Sequence, residues 1–416
     1  MGQLSTDQRH LAALTAVVRR WSGRPILVVG DAMLDEWRFA TSARLCREAP
    51  APVLTLDHRQ VAAGGAANTA VNLATLGARP LLVAPIGADP IGDQVARCLH
   101  LAGVQDRMVA QPGTRTPVKR RLLAADQILL REDEGGPGAP LPAEQIDRLL
   151  AAIVASTEEI RLGRGTGGGF DRPDLVICDY GLGALPEPVR RWLIDNRHRY
   201  GTVALDAHDL RRWAGLRPSV ITPSIAEATM AVDHGDDRFD ERVDTGPDPQ
   251  AQVRVDAARR LLPRLRTATN AEVIAVTLDV DGSIVDNGSG EPHRCRAEPV
   301  PASRAVGAGD AYLAALTLAV TAGAALPASA ELAQLAATLT VGDTGTCVCR
   351  CETLLAALTA GSATASTTAT GSGPTATRSG PTGPQAAATR DPDRSGGTDP
   401  TDLIEQVRVH LSLIHI

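Results

Sequence analysis

The chain opens with TDQRHLAALTAVVRRW, whose apolar positions recur at helical spacing and predict an N-terminal helix within residues 1–23. The pattern then changes to short apolar runs that end in glycine, acid or turn residues. RPILVVG (24–30), RPLLVAPIG (79–87), DLVICDYG (174–181), GTVALDAH (201–208), SVITP (219–223) and EVIAVTLDVDG (272–282) each read as a buried strand. Most are separated by stretches of helical period, such as GGAANTAVNLATLGA (64–78) and IGDQVARCLHLAGV (91–104). Strands alternating with helices predict an α/β fold: a doubly wound, mostly parallel sheet flanked by helices, with ligands at the carboxyl ends of the strands.

Two stretches break this rhythm. PVLTLDHRQVA (52–62) and TPVKRRLLAADQILLRED (116–133) carry charged residues along strand-like runs. They predict a small β-sheet lid spanning roughly 36–62 and 114–133. RLGRGTGGGFDRP (161–173) and HGDDRFDERVDTGPDPQ (234–250) read as solvated insertions. From 360 to 399 the composition collapses to Ala, Thr, Ser, Gly and Pro, the signature of a disordered linker. Residues 400–416 then read as the start of a truncated C-terminal domain, which leaves 24–359 as the main folded unit.

Composition narrows the class. The net charge of −6 and the lack of a basic stripe argue against nucleic acid as a partner. No apolar run approaches the roughly 20 residues that span a bilayer, so no membrane role is expected. Seven cysteines without a regular framework fit a reducing cytoplasm. CVCRC (347–351) would put three sulfurs on one face of a strand, but the spacing is too tight for a metal site, so these read as incidental thiols. Among 42 basic side chains Lys119 is the sole lysine, which makes it a candidate for a place where a compact ammonium is needed, with chance survival of one lysine as the plainer alternative.

Candidate chemistry lies in two glycine motifs. VGAGD (306–310) enters an apolar helix, so backbone amides at Gly307, Ala308 and Gly309 form an anion site with Asp310 beside it as a candidate base. A carboxylate that merely caps the helix is the plainer alternative. Far upstream, Gly64, Gly65 and Asn68 occupy a second turn into a helix, where small residues let a polar ligand approach the backbone. Gly30, Asp31 and Asp35, after the first strand, are candidates to face that ligand from the other side.

With both motifs in one α/β chain, residues 24–358 resemble the ribokinase-like (pfkB) carbohydrate kinases. GGAANTAVNLATLGA and AVGAGDAYLAAL match the two signatures, and within the family the chain is similar to kinases of heptose 7-phosphate. The resemblance implies Asp310 as general base and Gly307–Gly309 as anion hole. It implies sugar contacts at Asp35, Gly64, Gly65, Asn68 and Asp179, with Lys119 and Arg121 meeting a sugar phosphate. Ser224, Glu227, Thr277 and Gly282 match nucleotide-binding positions, and Glu227 also matches an acid that holds Mg2+ through water. The implied substrates are ATP and D-glycero-D-manno-heptose 7-phosphate, phosphorylated at the anomeric hydroxyl to heptose 1,7-bisphosphate. Another sugar kinase, or a weakly active binding homologue, are the alternatives. The resemblance also implies a homodimer through the lid. The chain departs from the family at Arg304, Val306, Ser224 and Gln334, which puts a monovalent cation in doubt. No His-x-Gly-His nucleotidyltransferase motif occurs.

Overall fold

The computed structural model describes residues 6–48, 51–125, 127–135, 140–163, 171–232, 249–297, 305–342 and 344–368. A nine-stranded sheet carries the molecule, in the order β15-β14-β13-β12-β11-β10-β1-β4-β6. Its strands are β1 (Pro25–Gly30), β4 (Arg79–Val83), β6 (Gln105–Asp106), β10 (Asp174–Asp179), β11 (Val203–Ala207), β12 (Val220–Ile221), β13 (Val273–Thr277), β14 (Ser283–Asp286) and β15 (His293–Cys295). From β6 through β13 every pairing is parallel; β14 and β15 add an antiparallel edge. The expected strand 272–282 is therefore shorter, ending at Thr277, and a second strand starts only at Ser283. The run breaks at Asp279 and Gly282, whose φ values of 51° and 88° turn the chain back on itself.

Central strands such as β1 are buried along their whole length, as a parallel sheet covered on both faces requires. Alternation divides them between two cores. Ile26, Val28, Val176 and Cys178 pack on one face with α1 (Thr6–Arg19), α2 (Ala66–Thr75), α3 (Pro90–Leu101), α8 (Ala308–Thr321), α9 (Leu326–Thr340) and α10 (Cys351–Thr368). Leu27, Val29, Leu175 and Ile177 pack on the other with α4 (Ala143–Arg161), α5 (Glu187–Asp195), α6 (Ile225–Val232) and α7 (Pro249–Thr269). α10 runs past the linker boundary expected at 360, and CVCRC forms no strand, ending instead in the first residue of α10.

The lid is a separate four-stranded sheet, β3-β2-β8-β9, built from β2 (Ala32–Leu45), β3 (Pro52–Gly65), β8 (Val118–Ala124) and β9 (Gln127–Glu134). A third, two-stranded sheet pairs β5 (Pro85–Gly87) with β7 (Val109–Gln111). Asp31 alone separates β1 from β2, and β3 returns directly into α2. The lid thus springs from the edge where strand order reverses between β1 and β10, the place an open α/β sheet offers a ligand.

Candidate active site

Asp310 stands in the first turn of α8, half-buried. Asn68 Nδ2 donates to its Oδ2 at 2.6 Å and Thr69 Oγ1 to its Oδ1 at 2.9 Å, both from the first turn of α2. The two glycine motifs, 242 residues apart, therefore meet side chain to side chain. Burial pushes the Asp310 carboxyl up to about 6 against these two bonds, and the charge of Asp35 adds to the rise. Gly307 precedes the helix at φ 94°, and a Cβ there would lie 2.6 Å from the Cys347 carbonyl oxygen. Ala308 N–H closes onto Ala305, whereas the amides of Gly309 and Asp310 have no backbone acceptor among the described residues. The space beside Gly309 is open. These free amides at a helix N-terminus suit an anion.

Asp35 lies on β2 with Lys119 beside it on β8. Its Oδ1 accepts from the buried Arg121 at 2.8 Å and its Oδ2 from Thr346 Oγ1 at 3.0 Å. Arg121 also lies 4.8 Å over the Trp37 ring, and Trp37 Nε1 donates to Thr346. Arg121 is thus held against Asp35 through one of its five N–H donors. Lys119 is half-buried and has no hydrogen bond or ion pair among the described residues. Gly64 and Gly65 close the floor. A Cβ on Gly64 would meet Asp35 Oδ2 at 2.9 Å, and one on Gly65 would meet the Asp31 carbonyl oxygen at 2.5 Å.

Two expected ligands of the sugar have other partners. Asp31 accepts the backbone amides of Tyr180, Leu182 and Ala184 at 2.8, 3.1 and 2.9 Å, which fixes the loop after β10. Asp179 accepts from Trp213 Nε1 at 2.9 Å and from the Gly181 amide at 3.2 Å, away from Asp310. Both line a cavity of about 720 Å³ that holds Arg115 and Arg212 and does not include Asp310.

On the far side, Ser224 and Glu227 form a capping box at the start of α6. Glu227 Oε2 accepts from Ser224 N and Oγ at 2.8 and 2.9 Å, and Glu227 N–H donates back to Ser224 Oγ at 3.3 Å. Glu227 Oε1 meets His208 Nδ1 at 2.5 Å. Burial raises the Glu227 carboxyl, but the bonds from His208 and Ser224 outweigh it and hold it below its ordinary value. Thr277 ends β13, bridged to Ser224. A Cβ on Gly282 would lie 2.1 Å from the Cys295 carbonyl oxygen, so that glycine is a requirement of the fold whatever else it meets. Gln334 is buried and accepts from Ser283 at 3.2 Å. Arg304 lies outside the described residues.

A model of the pfkB family carbohydrate kinases matches residues 24–147 and 207–354. The chain belongs to the pfkB family. The bifunctional protein HldE of Paramagnetospirillum magneticum is 33% identical to this pfkB chain over 353 residues, 84% of the chain and 66% of that protein. HldE of Halorhodospira halophila is 32% identical over 346 residues, 82% of the chain and 65% of that protein. The chain thus spans about two thirds of the length of these relatives. Phosphofructokinase-2 from Escherichia coli, in complex with substrates and products, shares the fold at TM-score 0.61 and 17% identity, covering 81% of this chain and 99% of that one. A carbohydrate kinase from Agrobacterium tumefaciens does so at TM-score 0.55 and 20% identity, covering 80% and 97%.

The pfkB site also contains residues that sequence reasoning passed over. Thr69 lies inside the upstream glycine motif and Thr346 just before CVCRC, and neither has a local pattern that points to it. Asp206 and His208, at and just beyond the end of β11, come from a strand whose sequence carries no motif. Tyr180 OH donates to Asp206 Oδ2 at 2.8 Å and lies 3.3 Å from Asp310 Oδ1. Burial, helped by the charge of Glu227, pushes Asp206 up to about 7.

Proposed function

We propose that this pfkB chain transfers the γ-phosphoryl group of ATP to a sugar, and that the sugar is heptose 7-phosphate, accepting at its anomeric hydroxyl. The observation that carries the reading is the Asp310 carboxylate, held by Asn68 and Thr69 beside two free amides at the start of α8. Asn68 occupies one lone pair of Oδ2, which leaves the other to accept the sugar hydroxyl proton. The hydroxyl oxygen then attacks the γ-phosphorus in line, and the amides of Gly309 and Asp310 offset the charge on the transferring group. Asp35, fixed in place by Arg121 and Thr346, orients neighbouring hydroxyls. The unpaired Lys119 suits the distant phosphate.

A divalent cation, Mg2+ in this reading, would neutralise charge on the ATP phosphates. Glu227 Oε2 already accepts twice from Ser224, so the site left is on Oε1, which would hold the ion through water. Val306 offers no side-chain oxygen to a monovalent ion, so the rate is expected to be indifferent to K+. Exposed Leu45, Leu56, Ile128, Leu129 and Leu130 on the lid support pairing with a second copy. Seven cysteines without a regular framework support a reducing cytoplasm.

A coupled ADP-release assay over free and phosphorylated sugars tests the reading. ADP with heptose 7-phosphate above all other sugars is the expected result. ADP with another sugar moves the substrate, and thermal stabilisation by ligand without ADP indicates a binding homologue. Lys119→Met is expected to raise the KM for the phosphorylated sugar about tenfold, as loss of one ionic contact to phosphate should, with the KM for ATP unchanged.

A further inference from the structure

Thr346 Oγ1 joins the lid to the body of the molecule. It accepts from Trp37 Nε1 at 2.9 Å and donates to Asp35 Oδ2 at 3.0 Å, and both partners are buried on β2. An indole N–H only donates and an ionised carboxylate only accepts, so the single hydroxyl proton points to Asp35. The next residue reaches the other half of the site. Cys347 N–H donates to the Val306 carbonyl at 3.4 Å, and the Cys347 carbonyl oxygen occupies the space that a Cβ on Gly307 would need. Two residues further, Cys349 N–H donates to Asn72 Oδ1 at 3.0 Å, and its carbonyl accepts from Thr75 Oγ1 at 2.6 Å. Asn72 Nδ2 in turn donates to the carbonyl of Asn68, whose side chain holds Asp310.

We propose that residues 346–349 are a brace that aligns the sugar, held by Asp35 on the lid, with the anion hole and base at the start of α8. Thr346 is its positioning residue. The inference rests on the kinase reading above. Within four residues the chain touches the lid acid, the turn before α8 and the helix that carries Asn68. Thr346 acts on the sugar through Asp35, and on the transferring group through the contact of Cys347 with Gly307. In-line transfer needs the acceptor oxygen close to the γ-phosphorus, and a misplacement of about 1 Å can cost about a hundredfold in rate. Without the Thr346 hydroxyl, Asp35 still has Arg121, and the amides of Gly309 and Asp310 remain free for a phosphoryl group. Each substrate therefore keeps its own contacts, and what is lost is their alignment. That loss falls on kcat and not on KM.

The test compares the wild-type protein with Thr346→Val and Thr346→Ser by steady-state ADP release, at a temperature where thermal melts show each protein folded. Thr346→Val is expected to lower kcat about tenfold, with the KM values for sugar and ATP within about twofold of wild type. Thr346→Ser keeps the hydroxyl and is expected to recover most of the rate, which a packing role for the methyl group would not allow. Thr75→Val cuts the brace from α2 about two helical turns beyond Asn68. It is expected to lower kcat with the same unchanged KM values, and the double variant to lose less than the product of the two single losses. Should Thr346→Val fail to fold, Thr75→Val carries the comparison. A wild-type kcat in the folded variant, or a raised KM in place of a lowered kcat, overturns the brace and leaves the kinase reading intact. No ADP from the wild-type protein with any sugar overturns that reading and the brace with it.

Discussion

Replacing Asp310 with asparagine removes the base and a burial penalty in one change. Burial lifts this carboxyl from 3.8 to about 6, so its ionised form is disfavoured in the folded chain by up to about 3 kcal/mol. The folded state holds the proton more tightly than the unfolded one, so stability falls as pH rises from about 4 to about 6. Below that window both states are protonated and the penalty vanishes; above it the penalty is present in full. Asparagine keeps the shape and cannot ionise. Its carbonyl can accept from Thr69, and Asn68 can turn its amide to accept from the new NH2 group. Asp310→Asn is therefore expected to exceed the parent in stability by up to about 3 kcal/mol at pH about 8 and to match it near pH 4, while ADP release falls to background. Urea melts at the two pH values and the coupled assay check both halves. A variant less stable than the parent at the higher pH, or one with the same advantage at both, refutes the desolvated setting of Asp310. Retained turnover refutes the base.

Three further outcomes follow from individual contacts. Arg121→Ala leaves Asp35 buried without its cation and is expected to cost about 3–5 kcal/mol, read as a lowered urea midpoint. Gly282→Ala forces a side chain into a left-handed turn and against the Cys295 carbonyl, a combined cost of about 3 kcal/mol visible in thermal melts. Ser224→Ala removes the cap from α6 and is expected to cost about 1 kcal/mol, again by thermal melt.

The alternation of apolar runs gave away the sheet because a parallel strand buried on both faces must be apolar throughout, as in β1 and β10. The lid was legible for the opposite reason, since β3 and β9 keep charges on exposed strands. Asp310 and Asn68 were legible because glycines flag close backbone approach, and the structure finds Gly65 and Gly307 crowded by carbonyl oxygens. What escaped was pairing across the sheet. His208 looks like a solitary histidine until β11 and α6 bring it to Glu227. Glu227 itself was read as a nucleotide and metal residue, although Ser-x-x-Glu is also the local pattern of a capped helix. Asp179 and Tyr180 are chain neighbours at the end of β10. The carboxylate went to Trp213 and the phenol to the site, a choice that periodicity does not reveal.

The lone ammonium of Lys119 gives the chain an unusual chemical address. Because every other basic side chain in the sequence is arginine, an amine-selective reagent meets one side-chain amine per molecule, and that amine lies beside Asp35. Acylation would place one side-chain label beside Asp35 without mutagenesis, separable by peptide mass from a label on the N-terminal α-amine. Protection of that label by a bound sugar phosphate, read by mass, would report occupancy one molecule at a time.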